Sequence, residues 1–85
     1  MTLTPEQLDA IATKLLGWKP NTDDPGAALL VLEAMGDYTT LDGISEGEWL
    51  CRHLTDAGKP AIDSGFHKTP AAAIFACAAK LVERM

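Results

Sequence analysis

The chain has 85 residues and a mass of 9.1 kDa, with 47% hydrophobic and 22% charged side chains, which suits one globular domain over 1–85 and leaves no room for a second. Seven Lys and Arg against twelve Asp and Glu give a formal charge of −5, which argues against a protein that binds nucleic acid directly by neutralising phosphates. No apolar run approaches the length of a membrane span, and Met1-Thr2-Leu3-Thr4-Pro5-Glu6 lacks the basic and apolar regions of a secretory signal, so the expectation is a cytoplasmic chain without a membrane partner.

Three helix starts share one grammar. Thr4-Pro5, Asp24-Pro25 and Thr69-Pro70 each place an N-capping oxygen before a proline suited to the first helical position. The first helix is predicted from Pro5 to about Leu16, with Gln7 completing a capping box, Leu8, Ile11, Ala12 and Leu15 forming the apolar stripe, and Gly17 as the stop. Pro25 to about Met35 forms the second, stopped by Gly36; Glu33 is its only charge, so burial on most sides is expected. Then the period changes from 3.6 to 2. Tyr38 to Leu41, Glu48 to Leu54 and Ala61 to Phe66 read as strands, separated by turn chemistry at Asp42-Gly43 and over Asp56 to Pro60. Apolar residues on both faces of the middle strand, Trp49 and Cys51 on one and Leu50 and Leu54 on the other, imply a sheet covered at least partly on both sides. The third helix, Pro70 to about Arg84, is rich in alanine around Ile74, Phe75, Cys77, Leu81 and Val82, and so permits close backbone approach. The fold expected is α+β in the order ααβββα, a short antiparallel sheet packed with helices.

The charge is segregated along the chain. Between Pro20 and Cys51 stand seven acids and no Lys or Arg, whereas the rest of the sequence is slightly basic. A one-signed segment of this kind shapes partner choice and association rate rather than fold. Cys51 and Cys77, in a chain without a secretory signal, read as reduced thiols.

Several residues together resemble a known family. Leu16-Gly17-Trp18 at the end of the first helix, an apolar second helix, the strand motif Trp49-Leu50-Cys51, and a strand leading into the alanine-rich Thr69-to-Leu81 segment are similar to the phage ABA sandwich domain family, over nearly the whole chain. The resemblance implies a helix–sheet–helix sandwich made from a phage or prophage gene in a bacterial cytoplasm, with no established activity and no catalytic residues. The stretch Asp42 to Glu48 is more acidic and less aromatic than the family pattern.

Several residues have both a chemical and a plain structural reading. Cys51 and His53 share a strand face, and Asp63 on the next strand offers an orienting carboxylate for a Cys–His nucleophile. Cys51, His53, His67 and Cys77 suffice in number for zinc but lack ligand spacing. Ser64 to Thr69 leads into a helix N-terminus with His67 and Lys68, a place for a small anion, and Asp42 to Glu48 alternates oxygens with glycines without meeting the calcium-loop rule. A packed thiol, an ordinary N-cap and a solvated turn explain these residues more economically, so no catalytic residue, metal or cofactor is assigned. Trp18 and Trp49 are expected in the core. The function expected is a non-enzymatic protein-binding module, an inhibitor of a host factor or defence system as anti-CRISPR proteins are. Its partner would be a basic host or phage protein meeting Asp37, Tyr38, Asp42, Glu46 and Glu48. The alternatives are a small accessory protein that forms a homodimer through the carboxyl-terminal helix, and a ligand binder or enzyme using Cys51, His53 and His67.

Overall fold

The computed structural model describes residues 3–22, 24–36, 38–54 and 61–84. The order is α1 (Pro5–Leu16), α2 (Pro25–Ala34), β1 (Thr39–Ser45), β2 (Glu48–His53), β3 (Ile62–Asp63) and α3 (Pro70–Glu83). The fold is therefore α+β in the order ααβββα, with one antiparallel three-stranded sheet in the strand order β1-β2-β3.

The helix ends form where the capping chemistry puts them. The Thr4 hydroxyl accepts from the Gln7 N–H at 3.2 Å while the Gln7 side chain accepts from the Thr4 N–H at 2.8 Å, a closed capping box. Asp24 and Thr69 cap α2 and α3 through the Gly26 and Ala72 N–H groups at 2.9 and 3.1 Å. Gly17 ends α1 in the left-handed region at φ 80°, where a Cβ would be strained. Asp9 fastens the following loop to α1, accepting from the Thr22 hydroxyl at 2.7 Å and facing Lys19 at 3.6 Å.

The strands depart from the predicted boundaries. Asp42-Gly43 is no turn but lies inside β1, which runs on to Ser45; the chain reverses at Glu46-Gly47, with Gly47 at φ 75°. Gly43 serves the sheet instead. It faces Trp49 across the ladder, and a Cβ there would meet the indole ring at 3.0 Å, so the glycine makes room for the aromatic. A bulge between Gly43 and Ser45 leaves Ile44 as the extra residue. β3 is shorter than expected, although Ser64 prolongs its contact: the Ser64 N–H donates to the Cys51 carbonyl at 2.9 Å, and the Ser64 hydroxyl accepts from the Cys51 N–H at 2.9 Å. The predicted turn over Asp56 to Pro60 lies outside the described residues.

α3 is the element that touches everything. It packs against all three strands and against both α1 and α2, which otherwise pack mainly on each other. The core accordingly joins Ile11 and Ala12 of α1, Ala28 and Val31 of α2, Cys51, Ile62, and Ala73, Ile74, Phe75, Cys77 and Ala78 of α3. Because α1 and α2 dock on α3 rather than on the sheet, the helix cover among the described residues falls on one face of the sheet, although Leu50 on the other face is half-buried. The expectation of cover on both sides is corrected by the exposed Thr40, Asp42 and Arg52, which alternate with the half-buried Leu41 and buried Cys51. α2 is likewise less enclosed than its composition implies: Ala27, Ala28, Val31 and Met35 are buried, but Leu29 and Leu30 are exposed, since only one stripe of the helix meets α1 and α3. Trp18 is also corrected, being 52% exposed where the left-handed Gly17 turns the chain out of the α1 stripe.

Candidate functional site

Strand alternation separates two sets of side chains. Toward α3 point Thr39 and Leu41 of β1, Trp49, Cys51 and His53 of β2, and Ile62 of β3. Away from the helices point Tyr38, Thr40 and Asp42, then Glu48, Leu50, Arg52 and Leu54, then Asp63. Phe66 precedes His67, whose backbone exchanges hydrogen bonds with Trp49 at 2.8 and 2.9 Å, so it stands on the side opposite to His67.

This second set forms an open surface with apolar corners. Tyr38 is 70% exposed, Phe66 61% and Leu54 50%, and Leu54 is tied beside Tyr38 by its N–H on the Tyr38 carbonyl at 3.0 Å. Isolated exposed apolar residues are ordinary; here Tyr38 and Leu54 stand side by side at one end of the face, and Phe66 stands at the other, near Trp49. Between the corners Arg52 meets Asp63 at 3.4 Å, so its charge is already answered within the domain. The Gly65 N–H, 2.7 Å from the Asp63 carboxylate, and then the Arg52 guanidinium hold that carboxyl below the usual range. Asp42 and Glu48 lie on the hairpin half of the same face, with Glu46 at its turn, and all three are exposed. Four of the five expected partner residues, Tyr38, Asp42, Glu46 and Glu48, thus belong to one hairpin and reach solvent. Asp37 lies outside the described residues. Leu50, Leu54 and Phe66 were missed, because nothing in an alternating strand says which face the helices will leave bare.

The other candidates come apart. Asp63 cannot orient His53, because it sits across from Arg52 on the open face while His53 sits across from Ile62 on the covered one. The His53 Nδ1 instead lies 2.7 Å from the Thr39 hydroxyl. Cys51 is fully buried, and its hydrogen bond with Cys77 and the burial itself push its thiol up, so it stays protonated at neutral pH. Both cysteines are free thiols. Among the described residues, no three His, Cys, Asp or Glu side chains come together as metal ligands. At the start of α3 the Thr69 cap takes up an N–H, and the His67 Nε2 lies 2.9 Å from the Ser64 carbonyl. Two adjoining clefts of about 260 and 510 Å³ lie along α1 and α3, sharing Leu3, His67 and Ala76 as walls. Cys51 and His53 line neither. On α3 the alanines Ala73 and Ala78 are consumed inside the fold, which leaves Ala72, Lys80 and Glu83 as its exposed positions.

Compared with known proteins, the chain matches no protein-family model, no curated protein and no solved structure. Among the described residues, no helix is long and apolar enough to cross a membrane.

Proposed function

We propose that the chain is a non-enzymatic protein-binding module that holds a basic protein against the open face of its sheet and the acidic hairpin. The observation that carries this reading is the sheet face turned away from the helices, which exposes Tyr38, Leu54 and Phe66 together with the carboxylates of Asp42 and Glu48. Large aromatic side chains supply desolvated anchors at interfaces, while rim carboxylates steer encounter. The charge supports a basic partner, since no Lys or Arg occurs from Pro20 to Cys51 and, among the described residues of the face, the cation Arg52 is paired with Asp63. In a phage or prophage setting, as the resemblance implies, such binding would inhibit or redirect a host factor.

The test is capture of the partner from a bacterial lysate, followed by stopped-flow association with the wild type and with Asp42→Lys/Glu46→Lys/Glu48→Lys. A one-signed field raises association rates by about 10- to 1,000-fold at low ionic strength. The variant is expected to associate at least several-fold more slowly in low salt, and the difference should vanish near molar salt. Equal rates at low salt would make the carboxylates merely solubilising.

A further inference from the structure

β1 is an edge strand of seven residues whose guards are a single charge, Asp42, and the bulge that follows Gly43. Its sequence, Thr39-Thr40-Leu41-Asp42-Gly43-Ile44-Ser45, holds no Lys and no Pro, and its bulge lies at the far end. The direction of its backbone groups follows from one bond. The Leu54 N–H donates to the Tyr38 carbonyl, so Tyr38 and Leu54 belong to the hydrogen-bonded class of pairs, and alternation puts Thr40 with Arg52 and Asp42 with Leu50 in the same class. Thr39, Leu41 and Gly43 therefore turn their N–H and C=O groups away from β2. The Thr39 N–H is taken by the Gly36 carbonyl at 3.2 Å. Among the described residues, the outward groups of Leu41 and Gly43 have no backbone partner.

Charge decides what can fill this edge. A second copy pairing through the same strand would bring two hairpins together that each expose Asp42, Glu46 and Glu48 with no base between Pro20 and Cys51. Like charges at that distance oppose the pairing, whereas a cationic chain is drawn to it. We propose that an extended basic segment of the partner adds to β1 as a fourth strand, pairing with the backbone of Leu41 and Gly43. This rests on the reading of the open face as the partner surface and specifies how the partner is held. Alternate side chains of the added strand would continue the open face beside Asp42, where Lys or Arg fits, and the others would lie beside Leu41 and the side-chain-free Gly43, where β-branched residues fit.

The probe is a capped eight-residue peptide alternating lysine and valine, with two controls: the same peptide alternating glutamate and valine, and the lysine peptide N-methylated at every residue, which keeps the charge but cannot donate to a strand. Amide hydrogen exchange of the full chain is followed by NMR. The lysine peptide is expected to slow exchange at Leu41 and Gly43 by roughly tenfold or more, as newly hydrogen-bonded amides do, while both controls leave it unchanged. Asp42→Lys, at an exposed position, should abolish the effect without altering exchange in α3. No slowing with the lysine peptide, or equal slowing with the N-methylated one, overturns the proposal. So does slowing that grows with protein concentration in the absence of peptide, which would mean self-pairing. If the lysine peptide shifts the resonances of Tyr38, Leu54 and Phe66 but leaves Leu41 and Gly43 unprotected, the edge is refuted while the open-face reading stands.

Discussion

The two faces of one sheet differ in everything except the strands that supply them. On the covered face Cys51 and Ile62 are buried against Ile74, Cys77 and Ala78 of α3, and the polar groups that enter are answered, as when Ser64 bonds both backbone groups of Cys51. The open face exposes Tyr38, Leu54 and Phe66, and the Arg52–Asp63 ion pair on it is solvent-exposed. Exposed ion pairs contribute about 0–1 kcal/mol, so little stability rests there. The comparison teaches that alternate residues of β1 and β2 answer to different demands: one set is held by the fold, while the other is left to solvent and, in the function proposed above, to a partner.

The comparison breaks most readily at the covered face. Ala78 is fully buried where α3 meets the rest of the fold, and Ala78→Leu adds three carbons to a space without room for them. The expected loss is roughly 1–3 kcal/mol, or on the order of 4–8 °C in melting temperature for each kcal/mol in a domain of this size, read by thermal denaturation. An unchanged melt would place that side of α3 in solvent.

A smaller loss is expected at the boundary between the faces. Gly43→Ala sets a methyl group 3.0 Å from the Trp49 ring, so the indole must shift. About 1 kcal/mol of destabilisation, with a change in tryptophan fluorescence, would show that Gly43 is a seat for the aromatic rather than a turn residue. A neutral result would return Gly43 to the role its Asp-Gly dipeptide suggests.

That dipeptide shows how far the fold was legible. Thr4-Pro5, Asp24-Pro25 and Thr69-Pro70 marked the helix starts because capping is a local interaction, decided within four residues. Asp42-Gly43 misled because a glycine can serve either a turn or a cross-strand aromatic, and only the register, Gly43 opposite Trp49, decides between them. The exposure of Leu29, Leu30 and Trp18 was hidden for a similar reason: an apolar run says that a helix can be buried, and the docking of α1 and α2 on α3 determines which stripe is. At the candidate site the acidic residues were readable from charge counting. Leu54 and Phe66 were not, because choosing the bare face of a strand with apolar groups on both sides requires knowing where the helices land.

The central claim is that the open face serves binding and not folding, and the double variant Tyr38→Ala/Phe66→Ala tests it most directly when its melting temperature and its affinity for the captured partner are measured together. Exposed positions outside a packed core each change stability by about 0.5 kcal/mol or less, so the two together should lower the melt by at most roughly 4–8 °C. Loss of two aromatic anchors should weaken binding by about 30-fold or more, the equivalent of at least about 2 kcal/mol. A melt that falls as far as that of Ala78→Leu, or a partner bound as tightly as before, would contradict the account.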